Sequence, residues 1–154
     1  MRALLVVNRQ ATATSRRVRD VLIGALGASL KLDVVETKHR GHAILLAEQA
    51  AIDGLDLVVA LGGDGTVNEV VNGLMRLDDA ATRPAMAVVP GGSANVFSRA
   101  LDQPTDPVEA TGALLEALRA GRRRTIGLGR ADERYFAFSA GIGLDAEVVS
   151  RVEQ

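Results

Sequence analysis

An open, mostly parallel α/β sheet with helices on both faces is the fold class that this 154-residue sequence predicts, and three observations predict it. Apolar runs such as "ALLVV" (3–7), "LDLVVAL" (55–61) and "AMAVV" (85–89) are nearly continuous, as strands covered on both faces require. Segments with helical apolar spacing separate them. Glycine-rich stretches, "GGDG" at 62–65 and "PGGS" at 90–93, follow directly on two of these runs. In an open parallel sheet that is where ligands bind.

Residues 3–7 form the first predicted strand. Ser15 caps a helix whose apolar positions Val18, Val21, Leu22 and Ala25 recur at i, i+3, i+4 and i+7. "LDVVET" (32–37) is the second strand, "GHAILLAEQAAI" (41–52) the second helix and 55–61 the third strand. Thr66 and Glu69 then have capping-box spacing, ahead of a helix with Val67, Val70, Val71, Leu74 and Met75 on one face. Residues 85–89 are the fourth strand. In "TDPVEATGALLEAL", Asp106 is placed to cap, Pro107 to take the first helical position, and Glu109 stands three after the cap. Beyond residue 122, "RRTIGLG" and "RYFAFSA" flank the polar turn "RADE" and predict an antiparallel hairpin. The expected organisation is an α/β nucleotide-binding domain over 1–128. Residues 129–154 read as the start of a truncated, β-rich second domain, so the chain is expected to be the N-terminal piece of something longer.

Composition excludes several function classes. Apolar residues at 47 % and charged residues at 24 % are those of a soluble globular protein, long enough for one compact domain with a core. With one Tyr, three Phe and no Trp, that core must be built from Val, Leu, Ile and Ala. A net charge of -1 lacks the basic field that nucleic-acid binding needs. The local exception, "RAGRRR" at 119–124, is either solvated surface or a face for anionic lipid or phosphate. The absence of cysteine excludes disulfides, thiolate chemistry and cysteine-based zinc sites. The apolar run of "MRALLVVN" is too short for a signal peptide, and nothing approaches the ~20 apolar residues of a membrane span. A cytoplasmic protein is expected. His39 and His42 have metal-pair spacing but no evident third ligand.

The glycine loops define the candidate site. Gly62, Gly63 and Gly65 follow the third strand, Gly91 and Gly92 the fourth, and each loop leads into a helix whose free N–H groups and dipole favour phosphate. Asp64 is the informative residue. A carboxylate beside phosphates is repulsive unless a cation mediates, so Asp64 is expected to act through Mg²⁺ or a charged network. The alternative is that it accepts loop N–H bonds in a tight turn. "GGDGTVN" matches neither GxGxxG nor the P-loop. The polar stretch after the first strand, with Asn8, Arg9, Thr12, Thr14, Ser15, Arg16 and Arg17, either touches phosphates from the side or is an exposed loop.

Four segments in this order, "VVET" with "GHAILLA", "GGDGTVNEVVNG", "VVPGGSANVFSRAL" and "SAGIGLDAEVV", make the chain resemble the diacylglycerol kinase catalytic domain family, which includes bacterial lipid kinases and sphingosine and ceramide kinases. The resemblance spans essentially the whole chain. It implies an NAD kinase/diacylglycerol kinase-like N-terminal domain, a larger β-rich second domain, and ATP with Mg²⁺ in the cleft between them. It places Gly62, Gly63, Asp64, Gly65 and Thr66 in the phosphate-binding loop and Asn68 and Glu69 on its supporting helix. Asn8, Thr37, Gly92, Ser93 and Asn95, with Glu69, complete the cofactor-binding set, and Asp64 is the metal and charge-network residue.

The activity implied is transfer of the γ-phosphoryl group of ATP to a lipid hydroxyl, in lipid metabolism. The implied partners are a nucleotide, a lipid and the inner membrane surface, touched peripherally, with no nucleic acid; a homodimer would cover a face left open by the second domain. Two departures stand out. Val96 occupies the position of a usual Asp, and Arg9 follows Asn8 where the family has Pro. The Asp-Gly-Glu region that resemblance associates with the general base has no counterpart up to Gln154, so the 154 residues alone are expected to be inactive. An NAD kinase-like enzyme, which also uses "GGDGT", and a non-catalytic nucleotide-binding module are the alternatives. The lipid acceptor stays open.

Overall fold

The computed structural model describes residues 1–9 and 14–140. Four parallel strands, β1 (Arg2–Val7), β2 (Lys31–Glu36), β3 (Leu57–Gly62) and β4 (Ala85–Pro90), form one sheet in the order β2-β1-β3-β4. The helices are α1 (Arg16–Gly27), α2 (His42–Ile52), α3 (Asp64–Leu74), α4 (Val96–Ala100) and α5 (Pro107–Arg119). A short antiparallel hairpin of β5 (Gly129–Ala131) and β6 (Arg134–Phe136) follows. The predicted fold class is the observed one.

Period-two alternation along the strands sorts the core into two layers. Ala3, Leu5 and Val7 of β1, with Leu57, Val59 and Leu61 of β3, pack against Leu22 and Leu26 of α1 and against α5 through Leu114, Leu115 and Leu118. Leu4, Val6, Val58 and Ala60 point the other way, onto α2 and α3. Helix α2 offers that layer only alanines at its buried positions, Ala43, Ala47, Ala50 and Ala51. Its backbone therefore approaches α3 closely. A side chain at Gly73 of α3 would overlap the carbonyl oxygen of Ile44 and crowd Cβ of Ala47 at 2.8 Å. The glycine near the end of α3 is thus a packing requirement. The buried middle strands β1 and β3 are flanked by an edge, β2, that carries exposed Lys31 and Asp33, charges that blunt edge-to-edge pairing.

Both predicted caps at Ser15 and Asp106 form. Ser15 Oγ accepts from Val18 N–H at 3.3 Å, and Asp106 Oδ1 accepts from Val108 and Glu109 N–H at 2.9 Å each. Three expectations need correction. The inward face of α1 runs through Val18, Leu22 and Leu26, whereas Val21 is 58 % exposed, because two helix faces fit the same spacing and the sheet selects one. Thr66 is not a cap: α3 begins at Asp64 with Gly63 as N-cap. The hairpin pairs over three residues on each strand, and 122–128 carries no strand. The segments 10–13 and 141–154, which hold Thr12 and the "GIGLDAEVV" motif, lie outside the described residues.

Candidate functional site

The strand order reverses between β1 and β3, so the loops leaving these two strands diverge and open a crevice at their carboxyl ends. Sheet hydrogen bonding continues into these loops. Asn8 N–H donates to Leu61 O (3.0 Å), Thr37 N–H to Val7 O (2.8 Å) and Gly91 N–H to Gly62 O (2.9 Å). Asn8, Thr37, Gly62 and Gly91 are therefore fixed side by side at one end of the sheet. Asn8 Nδ2 also donates to Oγ1 of the buried Thr66 at 3.1 Å. A Cβ at Gly62 would lie 2.6 Å from that same Oγ1, so the first glycine is demanded by the packing of Thr66.

The two glycine loops touch through their backbones. A Cβ built on Gly63 would meet Cα of Gly92 at 3.2 Å, and one on Gly92 would meet Cα of Gly63 at 2.6 Å. Within the second loop, Asn95 adopts φ 48° and closes a turn: Gly92 N–H donates to its Oδ1 (3.0 Å) and its Nδ2 donates to Gly92 O (2.8 Å). The Asn95 amide is thus spent on holding the loop, while Ser93 beside it is exposed.

The acidic residues of the motif reach outward from α3 to the loops on either side. Asp64 Oδ2 accepts from Val96 N–H (3.0 Å) and Oδ1 from Phe97 N–H (3.1 Å), so its carboxylate caps α4 from 32 and 33 residues away. Glu69 does the same for α2, where Oε1 accepts from Gly41 N–H (2.8 Å) and Oε2 from Ala43 N–H (3.1 Å). Gly41 itself sits at φ 82°, a left-handed conformation that favours glycine. The Thr66/Glu69 spacing is therefore no capping box. Glu69 turns away from its own helix to another, and as placed here it supports the β2–α2 loop. Helix α3 laces three loops together: to Asn8 through Thr66, to Gly41 and Ala43 through Glu69, and to the second glycine loop through Asp64.

One helix start is left open by this scheme. Among the described residues, α1 and α5 have their own side-chain caps, and α2 and α4 borrow carboxylates from α3. Helix α3 has no side-chain cap at Gly63, and its ladder begins with Val67 N–H to Gly63 O at 3.1 Å. The amides of Asp64, Gly65 and Thr66 precede that bond. Gly65 is exposed and helical, with open space where a Cβ would be. Neither its conformation nor packing among the described residues requires glycine there.

A metal would find Asp64 as the only carboxylate of the glycine loop. Its two oxygens each accept one amide, and a carboxylate has about four acceptor positions, so capacity remains. Among the described residues no three His, Cys, Asp or Glu groups gather into an all-protein site. That donor set fits Mg²⁺ held by one carboxylate together with nucleotide phosphates and water, the usual arrangement for this ion.

Other sequence candidates lie elsewhere. His39 and His42 stack with ring centroids 5.1 Å apart, and His42 Nδ1 accepts from Lys38 N–H at 3.1 Å. Arg9 pairs with Glu36 at 3.2 Å, joined there by Arg19 at 3.0 Å. Arg122, Arg123 and Arg124 border an apolar groove of about 700 Å³ along the open edge of β4, lined by Met86, Phe97 and Leu118 among others. No helix among the described residues is long and apolar enough to cross a membrane. The reach of Glu69 and Asp64 to the loops beyond their own helix escaped sequence reasoning. The one available signal was Asp64, an acidic residue in the first turn of α3 with no local partner by spacing, since Glu69 matched a capping box with Thr66.

Comparison with known proteins converges on one family. The family model of the diacylglycerol kinase catalytic domain matches residues 2–131. A diacylglycerol kinase of Staphylococcus aureus (strain JH9) is 36 % identical over 121 residues, 79 % of this chain and 36 % of that protein. The crystal structure of a diacylglycerol kinase from Bacillus anthracis str. Sterne superposes with a TM-score of 0.77 and 31 % identity, over 88 % of this chain and 45 % of that one. The chain thus spans about a third of the length of the curated relatives it matches.

Proposed function

The chain belongs to the diacylglycerol kinase catalytic domain family, and on that premise we propose that it is the nucleotide-binding part of an ATP-dependent lipid kinase that transfers a phosphoryl group to a lipid hydroxyl. The observation that carries the proposal is the open start of α3. It is the one helix N-terminus among the described residues without a side-chain acceptor, and Gly65 there is a glycine that nothing among those residues explains. An external anion approaching the backbone accounts for both.

In this reading the amides of Asp64, Gly65 and Thr66 bind phosphate oxygens of ATP, while Asn8 and Thr37 border the nucleotide from β1 and β2. Ser93, exposed on the second glycine loop, supplies a hydroxyl to the same crevice. Gly62, Gly63, Gly92 and Asn95 shape the loops, and Glu69 holds the β2–α2 turn that carries Thr37. Mg²⁺, held by Asp64 and the phosphates, would neutralise charge on the transferring group. The chain's own contribution is to bind, orient and stabilise. The group that accepts the hydroxyl proton is expected outside these residues, so the 154 residues alone are proposed to bind nucleotide without turnover. Access to a lipid implies peripheral contact with the membrane surface.

Calorimetric titration with ATP, with and without Mg²⁺, and with NAD as comparison, tests the binding half. Mg²⁺-dependent ATP binding is expected and is to be lost in Asp64→Ala; tighter binding of NAD than of ATP would replace this reading with an NAD kinase-like one. Phosphorylation of diacylglycerol in mixed vesicles by the complete gene product tests the rest.

A further inference from the structure

We infer that Asn72 is a positioning residue that sets the register between the glycine loop and the β5–β6 hairpin. Asn72 lies on α3, eight residues after Asp64, which is about 12 Å along the helix at ~1.5 Å per residue. Its side chain takes both polar atoms of one backbone unit across 63 residues: Tyr135 N–H donates to Oδ1 at 2.9 Å, and Nδ2 donates to Tyr135 O at 2.9 Å. Tyr135 pairs with Arg130 in the hairpin, and the edge of β6 facing away from β5 is the one that Asn72 occupies. A side-chain amide thus stands where the backbone of a third strand would be. Nδ2 also donates to Asn68 O at 2.8 Å, which fixes the amide's orientation on the helix.

A two-stranded hairpin of this length is marginal in water by itself, and apolar packing supplies only part of the anchor here. Ala137 and Ile126 touch the α2–α3 core layer, and the Phe136 ring covers Gly129. Such contacts tolerate sliding. The paired bonds to Tyr135 do not, because one residue's slip along β6 would turn its polar atoms to the opposite edge. Whatever chain follows β6 therefore starts from a point fixed on the same rigid helix whose other end carries the phosphate-binding loop. This inference rests on the lipid kinase reading only in its functional half: if acceptor-side groups follow β6, their distance from the transferring phosphoryl is set through Asn72. Rate is steeply sensitive to such placement.

Hydrogen exchange on the 154-residue protein, with Asn72→Ala and Asn72→Asp, decides the structural half. Alanine is the better helix former, so a loss of hairpin protection cannot come from a weakened α3. Aspartate keeps the acceptor for Tyr135 N–H but sets a carboxylate against two carbonyls. Two neutral hydrogen bonds of ordinary net strength correspond to about 30-fold faster exchange of hairpin amides. The expectation is that rise in Asn72→Ala at 129–136, and a rise of about 5-fold or more in Asn72→Asp, which loses one of the two bonds, with β1 and β3 amides unchanged. Unchanged hairpin exchange, or an equal rise throughout the protein, would overturn the assignment. In the complete gene product, kcat for lipid phosphorylation is expected to fall at least 10-fold with KM for ATP unchanged. An active parent whose variants keep kcat would also overturn it. A parent inactive on lipids, with the hairpin still released, would remove the lipid kinase reading and leave the structural register in place.

Discussion

Replacing Asp64 by alanine in the absence of ligand isolates the structural role of its carboxylate from the role proposed for it in holding Mg²⁺. Its oxygens receive the amides of Val96 and Phe97 at 3.0 and 3.1 Å, so the substitution uncaps α4 and cuts the side-chain link between the two glycine loops. Charge-assisted hydrogen bonds are worth about 1.5–3 kcal/mol each when buried. Asp64 is only half-buried, and helix N-cap losses total about 0.5–2 kcal/mol. A cost of about 1.5 kcal/mol is therefore expected. With an unfolding entropy of roughly 2.1 cal/mol/K per residue, a chain of 154 residues loses about 5 °C in Tm. Thermal unfolding followed by circular dichroism, without ligand or metal, measures this alone. Asp64→Asn retains one acceptor but turns its NH₂ toward the other amide, so it should recover less than half of the loss. A Tm within 1 °C of the parent for Asp64→Ala would refute the clamp and return Asp64 to the ligand alone.

Gly65→Ala should leave stability unchanged or raise it by up to about 1 kcal/mol of helix propensity, yet weaken Mg²⁺–ATP binding measured by calorimetry; unimpaired binding would remove the phosphate from α3. Gly73→Leu drives a side chain into the backbone of α2 at Ile44 and should cost 3 kcal/mol or more, on the order of the worst overpacking seen in cores, read as a lowered guanidinium midpoint. Glu69→Ala strips the acceptor from Gly41 and Ala43, with an expected loss of about 1 kcal/mol and faster amide exchange confined to the first turn of α2.

The fold was legible because its signals are local. Four apolar runs and the Ser15 and Asp106 caps each act within a few residues and reappear in the structure, as do the helices that the apolar spacings mark, with the face of α1 shifted. The candidate site was legible as a set of loops, since glycine-rich turns after strands of a parallel sheet must meet at one end. What those loops do to one another was not. Asp64 and Glu69 find their partners some 26 to 33 residues away in sequence, a distance over which no spacing rule operates. The same limit explains the false capping box at Thr66 and Glu69, whose separation is right while the carboxylate has a stronger claim elsewhere. Val21 shows a milder form: spacing defines a helical face only to within a turn, and the sheet chooses.

The contact between Gly63 and Gly92 constrains how this crevice can diversify. At Gly92 backbone meets backbone, with a Cβ only 2.6 Å from Cα of Gly63, so enlarging that residue cannot be offset by shrinking the other. Gly92 therefore cannot record a change of ligand by gaining a side chain, whereas a Cβ on Gly63, at 3.2 Å, needs the loop to give by a few tenths of an ångström. In the proposed reading, variation that retunes recognition is channelled to neighbours with room, Ser93 and Ala94 on the second loop and Val96 at the start of α4, all exposed. Val96 spends only its backbone N–H on Asp64, so its side chain is free to change without loosening the joint that holds the two loops together.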